Sequence, residues 1–118
     1  MIPLVSICIP TYNGAKFIKE AMDSAIAQTY ANLEIIVSDD ASKDGTLSII
    51  ESYKNKTLIP IHIYNHNPEG IGANWNHSVS KAQGDYIKFL FQDDILEPTC
   101  IERMMQLATQ MDWSYFFH

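Results

Sequence analysis

Cysteine is nearly absent. Cys8 and Cys100 are the only two in 118 residues, and without C-x-x-C spacing they support neither a zinc ribbon nor a disulfide scaffold. Buried thiols in a reducing compartment are the expectation. Basic residues are also scarce: eight Lys plus Arg stand against fourteen Asp plus Glu, a formal net charge of −6. Broad nucleic-acid binding by phosphate neutralisation is therefore disfavoured, and an anionic ligand has to be met by a metal, a helix N-terminus or a local basic spot. No stretch approaches the roughly 18 apolar residues of a membrane span, and Met1 to Pro10 lacks the basic lead and small-residue cleavage site of a secretory signal. A cytoplasmic location follows as an expectation. The G-x-x-x-x-G-K-[ST] loop is missing too, and Gly70-x-Gly72 follows a loop and not a strand end, which weakens nucleotide hydrolase and dehydrogenase readings.

What is present is the composition of an ordinary globular domain, 47% hydrophobic and 19% charged with five Gly and five Pro, in a length that suits one domain or a piece of one. Leu4 to Ile9 (LVSICI) and Leu33 to Ser38 (LEIIVS) are near-continuous apolar runs, the pattern of strands buried on both faces; Pro10 is expected to stop the first. Ile59 to Tyr64 and Tyr86 to Phe91 read as two further strands. Between them lie four helical patterns. Phe17, Ile18, Ala21, Met22, Ala25 and Ile26 form one stripe, Leu47, Ile50 and Tyr53 a second, and Ile101, Met104, Met105, Ala108 and Met111 a fourth, with Asn74 to Ala82 as the third helix and Gly84 as its cap. Pro98 and the Thr99 to Glu102 spacing predict a capping box at the start of the last helix. Alternation of strand and helix predicts α/β architecture, three layers with a mainly parallel sheet. The apolar ending Trp113 to His118 looks like the start of another strand, as if a larger protein continued.

In such a sheet ligands bind beyond the carboxyl ends of the strands. The polar residues leaving those ends are Thr11, Tyr12 and Asn13, then Asp39 and Asp40, then Asp93 and Asp94. Asp pairs also serve as turn formers and caps, but two pairs at equivalent ends place four carboxylates on one edge. Like charges so gathered favour a cation among them, and hard oxygen ligands suit Mg²⁺ or Mn²⁺. His62 and His66 are spaced as zinc ligands can be, yet one belongs to a strand and the other to a loop, so packed or solvated histidines are the reading. Trp75 is read as a core aromatic ahead of a sugar-stacking one, and Lys43 as a solvated turn residue.

Three blocks in order carry a resemblance. VSICIPTYNGAKFIKEAMDSAIAQTYANLEIIVSDDASKDGT at 5–46, GIGANWN at 70–76 and GDYIKFLFQDD at 84–94 together resemble the family 2 glycosyltransferases over residues 5 to about 111. The resemblance implies a GT-A fold, with residues 1–118 as the nucleotide-sugar-binding portion of the domain. It also implies transfer of a sugar from a nucleotide diphosphate sugar, a UDP-sugar being expected, to a saccharide or lipid-linked acceptor with inversion. By that resemblance Pro10, Thr11, Tyr12 and Asn13 lie with the nucleotide, Asp40 bonds the base with Asp39 beside it, Asp93 approaches the ribose, and Asp94 ligates Mn²⁺ or Mg²⁺ on the diphosphate. Peripheral association with the inner face of a membrane, through parts outside this chain, is compatible with it. Trp75 stands where many members have Arg, so Asn74, Asn76 or a helix N-terminus is expected to meet the diphosphate instead. The general base is implied to lie beyond residue 118. Two other classes compete: a receiver-like Mg²⁺-binding signalling domain, whose Asp, Thr and Lys order is not found, and a nucleotidyltransferase, whose Gly-rich opening loop is replaced by PTYNG.

Overall fold

The computed structural model describes residues 2–110. Its elements are β1 (Val5–Thr11), α1 (Ile18–Ile26), β2 (Leu33–Asp39), α2 (Thr46–Tyr53), β3 (Ile61–Asn65), α3 (Ile71–Lys81), β4 (Tyr86–Phe89) and α4 (Cys100–Gln110). The strands form one sheet in the order β3-β2-β1-β4, and every pairing is parallel. This is the expected three-layer α/β/α arrangement. β1 and β2 occupy the centre and are buried at every position, which is why their sequences run almost unbroken in apolar residues.

The two faces of the central strands differ in chemistry. Odd positions (Val5, Ile7, Ile9, Leu33, Ile35, Val37) enter the main hydrophobic core with Ile18, Met22, Ile50, Tyr53, Ile101 and Met105. Even positions face α3, and several are polar: Cys8 Sγ lies 3.8 Å from the Ser78 carbonyl, and Ser38 Oγ donates to Asn74 Oδ1 at 2.8 Å. Nearer the start of these strands Ser6 Oγ donates to buried Glu34 at 2.5 Å. A period of two thus separates a core built on burial from a layer built on hydrogen bonds.

Several boundaries differ from the sequence reading. β1 runs through Pro10 to Thr11. Its even carbonyls point toward β4, as in Leu90 N–H donating to Cys8 O at 2.9 Å, so the N–H that Pro10 lacks faces the side where the β1–β4 pairing has already ended at Cys8 and Phe89; there is no ladder bond to lose. α3 begins at Ile71, three residues early, because Gly70 takes φ +94° and turns the chain sharply into the helix. Gly84 is not the cap of α3, which ends at Ala82. It is a point of close approach: a Cβ there would lie 2.7 Å from Ser6 N and 2.9 Å from Leu4 O. β4 stops at Phe89 as the chain enters a turn closed by Asp94 N–H donating to Phe91 O at 2.9 Å. Glu102 does not close a capping box but accepts from Thr29 Oγ1 at 2.9 Å, tying α4 to the end of α1. Met111 and the Trp113–His118 segment lie outside the described residues. Among the described residues no helix is long and apolar enough to cross a membrane.

Candidate functional site

β1 and β4 part after Cys8 and Phe89, while β2 stays paired with β1 to its end. The sheet order also reverses here, since β2 and β3 lie on one side of β1 and β4 on the other; such a switch point opens a crevice at the carboxyl ends of the strands. Two loops frame it. The loop after β1 is laced to the loop after β2: Asn13 N–H donates to Ser42 Oγ at 2.8 Å, Lys43 N–H to Asn13 Oδ1 at 2.8 Å, and Gly14 N–H to Thr46 Oγ1 at 2.8 Å. Asn13 takes φ +48° to do so, a conformation asparagine tolerates better than most residues. Across the crevice the Gln92 amide grips Tyr12 at both backbone groups, accepting from its N–H at 2.8 Å and donating to its carbonyl at 3.0 Å.

The two Asp residues after β2 have different fates. Asp39 is fully buried, accepting from Thr11 Oγ1 at 2.6 Å, from Ser42 Oγ at 2.6 Å and from Ser42 N–H at 2.7 Å. Asp40 is 8% exposed; its carboxylate accepts from Glu69 N–H at 2.8 Å and Gly70 N–H at 3.1 Å, holding the turn that leads into α3. Beneath that turn lies a polar cluster. Asn74 donates through Nδ2 to the Thr11 carbonyl at 3.2 Å and accepts at Oδ1 from Ser38 Oγ. His66 Nε2 approaches the same Oδ1 at 2.8 Å, His66 Nδ1 lies 2.7 Å from the Asn67 carbonyl and 3.5 Å from Asp40, and His77 Nδ1 lies 2.7 Å from Ser38 Oγ. The hydrogen bond to Asn74 raises the pKa of His66, the Asn67 carbonyl and the charges of Asp40 and Glu69 adding to it against burial. Burial lowers that of His77, helped by the charges of His66 and Lys81.

Between these parts is a cavity of about 510 Å³ lined by Pro10, Thr11, Tyr12, Asp40, Gly70, Ile71, Asn74, Trp75, Phe91, Gln92 and Asp93. Of the residues singled out from sequence, Pro10, Thr11, Tyr12, Asp40 and Asp93 are on its wall; Asn13, Asp39 and Asp94 are not. Trp75 is no core residue. It is 40% exposed, and its ring centroid lies 5.1 Å from that of Phe91, giving the cavity an aromatic side. Asn74, one of the residues expected to substitute for the missing Arg, is committed to Thr11, Ser38 and His66, and Asn76 is exposed away from the cavity. The start of α3 does border it at Gly70 and Ile71; the Gly70 N–H is taken by Asp40, and the first helical N–H groups, from Ile71 on, have no intrahelical partner and lie at a positive dipole end.

The four carboxylates share the edge but do not converge on one point. Among the described residues no group of three His, Cys, Asp or Glu is placed to hold a metal alone. Asp39 is neutralised by donors, and Asp40 by two N–H groups and His66, so their repulsion needs no ion. Asp93 and Asp94 differ: both are exposed on the turn after β4, and neither carboxylate accepts a hydrogen bond from a described residue. One or two free carboxylates beside a cavity fit the way Mg²⁺ or Mn²⁺ is held when phosphate oxygens complete the shell. His62 and His66 do not come together; His62 lies 3.8 Å from Glu34, and His66 belongs to the Asn74 cluster.

Known proteins resemble the chain in sequence and in fold. The sequence model of Glycosyl transferase family 2 matches residues 6–113. An uncharacterized glycosyltransferase of Rickettsia typhi is 44% identical over 110 residues, covering 93% of this chain and 33% of that protein. Chondroitin synthase of Pasteurella multocida is 43% identical over 102 residues, covering 86% of this chain and 10% of that protein. Among solved structures, S. aureus TarS 1-349 in complex with UDP superposes with a TM-score of 0.84 at 28% identity, covering 91% of this chain and 32% of that one. The mannosyltransferase PcManGT of Pyrobaculum calidifontis, in complex with GDP-Man and Mn²⁺, does so with a TM-score of 0.80 at 26% identity, covering 92% of this chain and 33% of that one. The chain thus spans about a third of the length of these solved structures and between 10% and 33% of that of the curated relatives.

Proposed function

The chain belongs to glycosyl transferase family 2, and from that premise we propose that its crevice binds the donor of an inverting glycosyl transfer, a nucleotide diphosphate sugar with uridine as the base. The observation that carries the reading is the cavity itself, with the Asp40 carboxylate and the free carboxylate of Asp93 on its wall and that of Asp94 next along the same exposed turn. The base lies against Pro10, Thr11 and Tyr12, and Asp40 accepts its imide N–H; an aromatic or proline face and one carboxylate suit a planar ring carrying a donor. Asp93 meets the ribose. Asn13 and Asp39 act from behind, fixing the loops that carry the contact residues. The diphosphate meets the N-terminus of α3 in place of an Arg side chain. Asp94 holds Mn²⁺ or Mg²⁺, which supplies charge stabilisation to the departing diphosphate.

The name of one relative, a chondroitin synthase, supports a saccharide acceptor; a lipid-linked acceptor and a place at the cytoplasmic face of a membrane belong to the proposal as further expectations. Residues 1–118 form the donor half in this proposal. Each carboxylate on the edge already has a nucleotide, metal or structural task, so deprotonation of the acceptor falls to a base in the portion that follows in longer members.

Calorimetric titration with UDP and GDP, each with and without Mn²⁺, tests the reading. UDP is expected to bind more tightly than GDP, with an affinity that drops when EDTA is added, and Asp94→Asn is expected to remove the metal dependence. Absence of binding by either nucleotide would falsify the donor assignment, and binding indifferent to EDTA would remove the metal from it.

A further inference from the structure

Asn74 cannot be turned round. Its Nδ2 faces the Thr11 carbonyl, which only accepts, so Oδ1 is the atom presented to Ser38 and His66. His66 Nε2 must then donate. Its Nδ1 faces the carbonyl of Asn67, again an obligate acceptor, so that nitrogen must donate as well. A neutral imidazole has one donor and one acceptor nitrogen, and this geometry offers two acceptors. His66 is therefore satisfied only as an imidazolium, with the Asp40 carboxylate 3.5 Å from Nδ1 as its counter-charge. The neighbouring ring meets a single partner: with Ser38 Oγ donating to Asn74, His77 Nδ1 donates to Ser38, and with the two ring centroids 4.6 Å apart a second charge on His77 is disfavoured.

We propose that His66, held as an imidazolium between Asn67 and Asn74, is a positioning residue that keeps Asp40 and the turn into α3 in the arrangement that receives the nucleotide, so that loss of its proton weakens donor binding. The inference rests on the nucleotide reading above and adds a residue that lines no part of the cavity. Asp40 is bonded to Glu69 N–H and Gly70 N–H, so the charge on His66 bears on the same segment from which α3 starts. The charged and titratable groups around it are Asp40 from the end of β2, Glu69 from the turn and His77 from α3, with Lys81 and Tyr64 beyond His77. Asp40 and Glu69 favour the proton on His66, while burial and the charges of His66 and Lys81 disfavour one on His77. The sign follows: since the folded protein raises the pKa of His66, the contribution is complete at pH below the ordinary histidine value of about 6.5 and is lost as pH rises through the raised value.

The test uses the full chain and UDP-N-acetylglucosamine, whose phosphates bear no proton that titrates near neutrality. Its affinity is measured from about pH 5.5 to about pH 9 for the wild type and for His66→Gln, which keeps a donor but no titratable charge. The wild type is expected to bind about tenfold more tightly at the acid end, the scale of one charge-assisted hydrogen bond, and to converge on the variant at the alkaline end. A ratio that is constant with pH overturns the role of His66 and leaves the nucleotide reading standing, whereas no binding by the wild type at any pH removes that reading and this inference with it. If the variant does not fold, imidazole ¹⁵N shifts of the wild type decide. His66 must titrate above the ordinary value and the affinity must follow its midpoint; a lower midpoint, or an affinity flat across it, sinks the proposal.

Discussion

Replacing Asn74 by Ala removes three hydrogen bonds at once: Nδ2 to the Thr11 carbonyl, and Ser38 Oγ and His66 Nε2 to Oδ1. The residue is 4% exposed, so water does not replace them freely. The loss is less than that of three orphaned groups. Thr11 O still accepts from Asp40 N–H at 3.0 Å, and Ser38 still has His77. Three bonds at about 1 kcal/mol each, less roughly 0.5 kcal/mol gained in helix propensity when Ala replaces Asn, leave a destabilisation of about 2 to 3 kcal/mol. Urea denaturation followed by far-ultraviolet circular dichroism measures it, with the slope against urea expected to stay unchanged because the same surface is exposed on unfolding. Asn76→Ala is the control. Two residues along the same helix but exposed, it keeps the propensity gain and loses no buried partner, so it is expected to stabilise by about 0.5 kcal/mol. If the two variants have the same stability, the cluster beneath the turn is not a buried network and the reasoning from it fails.

Three further outcomes are expected. Asp40→Ala should weaken UDP about tenfold or more and inorganic pyrophosphate less, the smaller loss coming from the released turn at Glu69 and Gly70; calorimetry on both ligands checks it, and equal losses would move Asp40 away from the base. Gly84→Ala should lower the melting temperature, because the new Cβ meets backbone atoms of Leu4 and Ser6 at 2.7 to 2.9 Å that have no side-chain freedom to give, and a thermal melt matching the wild type would contradict this. Cys8 should resist alkylation in the native protein: burial in the strand pushes its thiol up to about 11, so at about pH 8 only on the order of one molecule in a thousand carries the thiolate. Mass-spectrometric counting of modified sites at that pH, with urea-unfolded protein as the reference, tests the point.

The order of elements was legible because the central strands are buried on both faces and their sequences have little else to be. The residues that line the crevice were legible for a related reason. Strand ends in a parallel sheet are where side chains must face a ligand or solvent, so Pro10, Thr11, Tyr12, Asp40 and Asp93 stand out by position. Asp39 and Asp40 could not be told apart, since adjacent residues leave a strand on opposite sides and only the paired chain tells which side holds Thr11 and Ser42. The tasks of Gln92 and of Asn74, which was expected at the diphosphate, were not legible because their partners are distant in sequence: Gln92 bonds Tyr12 across 80 residues, and Asn74 bonds Thr11 across 63; that of His66 depends on Asn74 and was hidden with it. The early start of α3 was hidden by Gly70 and Gly72, whose low helix propensity is overridden by the Asp40 contact and by packing on β1 and β2.

The Gln92 amide bonds both backbone groups of Tyr12 beyond the last rung between β1 and β4, a side chain extending a ladder that the backbones have abandoned. It fits only because Gly14 has no Cβ; one built there would come 2.3 Å from Gln92 Oε1. The Asn13-Gly14 turn and the Gln92-Asp93-Asp94 turn are consequently a single inheritable unit split across most of the chain. In homologous sequences a larger residue at one end should be accompanied by a shorter one at the other, and a graft that carries the acidic turn into a related scaffold without its glycine should arrive with Tyr12 unmoored.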